Sequence, residues 1–145
     1  MSSVLIVGDM GSRDPGTASL LHALASAVDG RKPVLTSSDP AATRARTGMA
    51  AVRSGDGAAL WAGVRHADGV VLVDGALRGT RTARRRGHDI RTAALRLCLA
   101  ARAIGKPVAL FTVAAGSLDT TTARVRARTL VRCADLVVLR DRTSA

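Results

Sequence analysis

Several short segments carry residue types suited to holding an anion. Residues Gly8–Gly16 read GDMGSRDPG. Gly8, Gly11 and Gly16 would let the backbone turn tightly and come close to a ligand. A helix starting near Gly16 would offer its free N–H groups to negative charge. The spacing is not G-x-G-x-x-G. Gly11–Thr17 (GSRDPGT) superficially matches a P-loop but lacks the lysine that loop requires. Near the other end stands Arg140-Asp141-Arg142-Thr143-Ser144. A guanidinium at Arg140 can grip a carboxylate or phosphate through two parallel hydrogen bonds. Ser144 is a residue type that caps helices. Asp39, Asp74 and Gly75 follow apolar runs and join the same candidate set. Of the histidines, His88 lies by a predicted ligand-edge loop, whereas His22 and His66 fall inside predicted helices. No residue is assigned as a catalytic acid.

The elements that must position these residues follow from hydrophobic periodicity. Val4–Gly8, Pro33–Thr36, Gly69–Val73, Pro107–Val113 and Leu136–Leu139 are short apolar runs, as expected of strands buried on both faces. Between them lie helical patterns. Gly16–Val28 carries Leu20, Leu21, Leu24 and Val28 at helical spacing, and Asp56–His66 carries Leu60 and Val64. Asp89–Ile104 spaces Ile90, Ala94, Leu97, Ala101 and Ile104 along one stripe, with Asp89 as a cap and Gly105 and Pro107 as its terminators. Thr122–Ala134 places Ala123, Ala127, Leu130 and Ala134 on one side and most of its arginines off it.

Strands alternating with helices of ten or more residues predict βαβ units. The expected fold is therefore α/β: a single Rossmann-like three-layer αβα sandwich over residues 1–145, with a parallel sheet of about five strands. In such sheets ligands bind beyond the carboxyl ends of the strands. That rule selects the loops Gly8–Gly16, Ser37–Asp39, Asp74–Gly87, Ala114–Leu118 and Arg140–Ser144. The stretch Arg78–Gly87 (RGTRTARRRG) reads as an exposed basic loop.

Composition narrows the function classes. Apolar residues make up 47% of the 145 residues, which argues against disorder. With one Phe and one Trp, the core must be aliphatic. The net charge of +11 comes almost wholly from arginine, since Lys32 and Lys106 are the sole lysines. Such a field attracts phosphate, nucleic acid or an anionic membrane face. It equally fits a general over-use of Arg and Ala. Cys98 and Cys133 make neither a disulfide framework nor a zinc site by themselves, and read as buried free thiols. The N-terminus enters an apolar run without a basic leader, and no apolar stretch approaches the ~20 residues of a membrane span. A cytoplasmic location is expected.

Taken together, these loops resemble the polysaccharide pyruvyl transferase family. Gly8, Gly11, Asp14, Gly16 and Thr17 stand where the family has G-x-x-G-x-x-N-x-G-D. The three glycines match, and the Asn and Asp do not. Thr36–Gly48 (TSSDPAATRARTG) is similar to the segment after the second strand, and Ala67–Leu77 (ADGVVLVDGAL) to a strand entering a glycine run, of which Gly75 remains. Ala101–Leu118 (ARAIGKPVALFTVAAGSL) matches a "lgKPv…GiGPl" pattern at Gly105, Lys106, Pro107 and Gly116, with Ser117 where Pro is usual. Asp135–Ser144 (DLVVLRDRTS) is similar to "d.i..RD..S" and is the most specific match.

The resemblance implies transfer of a pyruvyl group from phosphoenolpyruvate onto a sugar of a cell-surface polymer or its lipid-linked precursor, with no cofactor beyond that donor. The partners implied are an anionic small molecule and a sugar acceptor. Full members resemble two-domain GT-B glycosyltransferases, and this chain corresponds to their first domain. It also implies substrate contacts from Gly8, Gly11, Gly16, Asp39, Asp74, Gly75, Arg140, Asp141 and Ser144, with the Arg81–Arg86 loop as a further anion contact.

Two other classes stay open. One is a non-catalytic interaction module, a degenerate paralogue or a split-enzyme subunit, which would expose an apolar patch for a partner chain or a second copy. The other is a charge-driven nucleic-acid binder. The near absence of aromatics for base stacking and the lack of a recognition-helix or zinc-finger pattern weigh against it.

Overall fold

A computed structural model describes residues 2–8, 15–28, 30–73, 90–113 and 121–139. For residues 15–18, 21, 22, 90, 91, 93, 112, 113 and 123 it describes the backbone alone. Six strands and five helices are found among the described residues. In chain order they are β1 (Ser3–Val7), α1 (Pro15–Ala27), β2 (Lys32–Ser37), α2 (Pro40–Thr47), β3 (Ala50–Arg53), α3 (Gly57–His66), β4 (Gly69–Val73), α4 (Ile90–Ala103), β5 (Val108–Val113), α5 (Thr121–Cys133) and β6 (Leu136–Leu139). All pairings are parallel, and the sheet order is β3-β2-β1-β4-β5-β6.

The expected α/β class and parallel sheet hold. The count of strands does not: β3 adds a sixth. Its sequence, Ala-Ala-Val-Arg, carries little intrinsic strand preference. Pairing with β2 in the register Val34↔Ala50 to Ser37↔Arg53 is what makes it a strand. Helix α2 also lies beyond the predicted elements. It is short and largely exposed, so it has almost no apolar stripe to read. Its ends are nonetheless well marked. The Asp39 carboxylate accepts from the Ala42 N–H, Pro40 opens the first turn, and Gly48 closes the helix at φ 69°.

Strand β1 is the centre of the packing. Its residues alternate between two cores. Leu5 and Val7 face one side, together with Val70 and Leu72 of β4 and Val108 and Leu110 of β5. Val64 of α3, Ala94 and Cys98 of α4 and Leu130 of α5 cover that side. Val4 and Ile6 face the other side with Leu35, Val73 and Leu24 of α1, and Leu20 and Val28 pack against them. Both cores are aliphatic, as composition demanded, with Phe111 only at the margin of the second. Helix α3 lies so close to β1 that a Cβ on Gly63 would come within 3.3 Å of Leu5 Cδ1.

The amino end of the sheet is closed by two aspartates in equivalent places, each the residue before a strand. The Ser3 N–H donates to Asp68 Oδ2 at 2.7 Å, while the Asp68 N–H donates to the Ser3 carbonyl. The Val108 N–H donates to Asp135 Oδ2 at 2.8 Å, while the Asp135 N–H donates to the Val108 carbonyl. Asp135 also receives the Arg102 guanidinium at 2.6 Å. Each carboxylate thus satisfies the first N–H of a neighbouring strand. Such bonds favour the charged form, so both carboxyls sit below their ordinary value of 3.8, chiefly through the Ser3 N–H for Asp68 and the Val108 N–H for Asp135.

Because both folded values are depressed, the stability these groups contribute is fully present above pH 3.8. It is lost as pH falls through the still lower folded values. The Asp68→Asn/Asp135→Asn double variant should therefore melt at a lower temperature at pH 7, and the gap to wild type should narrow at pH 3. A gap that stays constant between the two pH values would show that the clips are not the source.

Candidate functional site

The strand order reverses between β1 and β4, because β2 and β3 extend one way from β1 while β4, β5 and β6 extend the other. A crevice opens outside the carboxyl ends at such a point. Of the predicted site residues, Gly8 and Asp39 are described on this rim, and Gly16 is described as the second residue of α1. Pro15 opens that helix, which suits its fixed φ and missing N–H. Gly11, Asp74, Gly75, Arg140, Asp141 and Ser144 lie outside the described residues, as do His88 and the Arg81–Arg86 loop.

The tip of β1 is held by a side chain that hydrophobic patterning did not single out. Thr36 is fully buried, and its hydroxyl bridges both backbone groups of Gly8. Oγ1 accepts from the Gly8 N–H at 3.0 Å and donates to the Gly8 carbonyl at 2.9 Å. The backbone ladder between β1 and β2 is recorded up to Ile6↔Leu35. Thr36 extends it with a side chain, fixing the direction in which the chain leaves β1.

Next to it, the turn from β2 into α2 is a buried hydroxyl cluster. Ser37 Oγ and Thr43 Oγ1 lie 2.7 Å apart and share a hydrogen bond. The Asp39 N–H donates to Ser37 Oγ at 3.0 Å, and the Ser54 N–H donates to the Ser37 carbonyl. Asp39 Oδ1 accepts from the Ala42 N–H at 3.1 Å. The Arg53 guanidinium donates to the Ser38 carbonyl at 3.4 Å. Ser37 and Thr43 are inaccessible, so they shape the rim without touching a ligand. Asp39 is exposed, with one carboxylate oxygen engaged on the backbone of α2. Among the described residues no buried side-chain polar atom lacks a partner, and no group of His, Cys, Asp or Glu is placed to hold a metal.

Other motif residues fall at the opposite end. Asp135 is one of the amino-end clips, so the first letter of DLVVLRDRTS is structural. Gly105 terminates α4 at φ 71°, and the Lys106 N–H donates back to the Ala101 carbonyl. Pro107 then delivers the chain into β5. His66 ends α3, where its carbonyl accepts from Ser3 Oγ at 3.4 Å. The His66 ring is exposed at the amino end, away from the rim.

The element order and the all-parallel sheet decide the fold. The chain has a Rossmann-like fold. Among solved structures it is similar to a short-chain dehydrogenase/reductase superfamily protein from Agrobacterium tumefaciens with bound NAD, with a TM-score of 0.60 and 17% identity. That match covers 94% of this chain and 48% of the other, so the chain spans about half the length of the dehydrogenase. It is also similar to a phenylacrylic acid decarboxylase from Aquifex aeolicus, with a TM-score of 0.49 and 16% identity, covering 96% of this chain and 81% of the other. No protein-family model matches the chain, and no curated protein matches it.

Thr36→Val keeps the volume but strands a buried N–H and a buried carbonyl at Gly8. The expected loss is about 2–3 kcal/mol in urea unfolding, with Thr36→Ser much closer to wild type. Equal losses for the two variants would mean that the methyl group, not the hydroxyl, matters.

Proposed function

We propose that this chain is a polysaccharide pyruvyl transferase-like domain, whose carboxyl rim binds an anionic small molecule of the phosphoenolpyruvate type. One observation carries the reading. The segments that supply the candidate contacts each follow the carboxyl end of a strand in an all-parallel sheet. Gly8 follows β1, Ser37–Asp39 close β2, Asp74–Gly75 follow β4, and Arg140–Ser144 follow β6. In a parallel sheet all strands end on one edge, and ligands bind beyond it. The amino end, by contrast, uses Asp68 and Asp135 for closure.

The chemistry implied is protonation of the enol carbon and stabilisation of an oxocarbenium-like centre while cations hold the phosphate. Arg140 is the proposed anion contact. Gly8, fixed by Thr36, is the proposed close approach of the backbone. The sugar acceptor and the rest of the cleft are assigned to a second domain of the kind that the full family members have.

A second reading has its own support. Of the exposed large apolar side chains, Val125, Val131, Leu136 and Leu139 all belong to α5 and β6. Among the described residues β6 is an edge strand, and its Leu-Val-Val-Leu sequence carries no charge to blunt that edge. A non-catalytic interaction module would use exposed apolar side chains of this kind for a partner chain.

Thermal shift separates the two. Phosphoenolpyruvate at about tenfold over its Kd should raise the melting temperature by roughly 3–5 °C, and Arg140→Ala should remove the rise. NAD and a DNA duplex serve as comparators. If no shift appears with 10 mM phosphoenolpyruvate, the transferase reading fails. Self-association in sedimentation that Leu136→Lys abolishes would then favour the interaction module.

A further inference from the structure

Two thiols far apart in sequence meet between α4 and α5. Cys98 is fully buried in the larger core, on the α4 face that covers β4 and β5. Cys133, at the last position of α5, packs against the same core and stays partly accessible. The two thiols lie close enough that Cys133 helps to raise the Cys98 thiol, and both are free. Nothing in the fold requires a sulfur at either place. Leu130 and Ala101 belong to the same core.

We propose that Cys98 and Cys133 form an oxidisable dithiol, a modification site whose co-reactant is a peroxide and whose product is a disulfide joining α4 to α5. Cys133 is the more accessible of the two residues. Its thiolate attacks one oxygen of hydrogen peroxide, the O–O bond breaks, and the departing hydroxide takes a proton to leave as water. Cys133 is then a sulfenic acid. Cys98 first loses its proton to solvent, its thiolate attacks Cys133 Sγ, the S–O bond breaks, and the hydroxide expelled takes up a proton to leave as a second water. Two thiols and one peroxide thus give one disulfide and two waters, with the sulfurs oxidised by two electrons and the peroxide reduced by two.

The site favours a slow, selective reaction. Burial is the main reason that the Cys98 thiol is pushed up to about 12, with the neighbouring Cys133 adding to it. At pH 7 Cys98 is therefore held almost wholly as the thiol. The second step waits on Cys98 losing its proton, and its rate should rise with pH across the neutral range. The bond would cross-link the helices that precede β5 and β6, closing a long loop in the unfolded chain.

The experiment treats the full chain with hydrogen peroxide at pH 7 and pH 8.5 and follows intact mass, peptide maps and melting temperature. The expected result is a loss of two mass units per chain, a single Cys98–Cys133 cross-linked peptide and a melting temperature higher by about 10 °C, all reversed by dithiothreitol. Disulfide formation should be faster at pH 8.5. Cys98→Ser should instead stop at a trappable sulfenic acid on Cys133, and Cys133→Ser should stay unmodified. A gain of 32 mass units on wild-type Cys133 without a cross-link would overturn the proposal, as would a disulfide between two chains. Because oxidation of the wild-type chain is itself the test, a variant that folds poorly does not rescue it.

Discussion

A parallel sheet has two ends that differ chemically, and this protein depends on that polarity. Each strand must return across the sheet through a helix before its neighbour can begin. Every strand therefore starts on one edge and finishes on the other. Central strand β1 makes this work energetically. It is paired on both sides and buried on both faces, with Leu5 and Ile6 anchoring opposite cores. The aliphatic side chains around it supply the burial that holds the helices, and the helices close both faces.

The two ends then take different tasks. At the amino end the chain emerges from a helix and must present its first N–H groups to something. Asp68 and Asp135 take that role in matching positions, and the αL turn at Gly105 feeds β5. At the carboxyl end, among the described residues, hydroxyls of Thr36, Ser37 and Thr43 hold the backbone where β1 and β2 end. The clasp of Thr36 on Gly8 and the Ser37–Thr43 pair are the described part of this rim. They are buried, so their contribution is to set the backbone geometry against which a ligand would lie. The arginine-rich charge of the chain sits on this frame without determining it.

Much of the fold was legible because its signals are strong and local. GVVLV and PVALFTV are continuous apolar runs that suit doubly buried strands, and the long stripe through Ala94, Leu97 and Ala101 could be nothing but a core-facing helix. Strand β3 and helix α2 were not legible. Ala-Ala-Val-Arg and Pro-Ala-Ala-Thr-Arg-Ala-Arg-Thr lack both a period and bulk, and tertiary pairing, not propensity, gives them their structure. On the rim, the positions of Gly8 and Asp39 were legible from where the apolar runs end. Thr36 and Thr43 were not, because a buried threonine looks in sequence like any other β-branched strand or helix residue.

The sequence by itself determined the alternation of strand and helix, the aliphatic character of the core and the positive charge, since these depend on residue type and spacing over a few turns. Tertiary structure decided which aspartates are clips and which stand on the rim, because Asp39, Asp68 and Asp135 differ only in which end of a strand they adjoin. It also decided that Cys98 and Cys133 meet. That contact depends on two helices packing side by side across a crossover, and no local pattern in the chain encodes it.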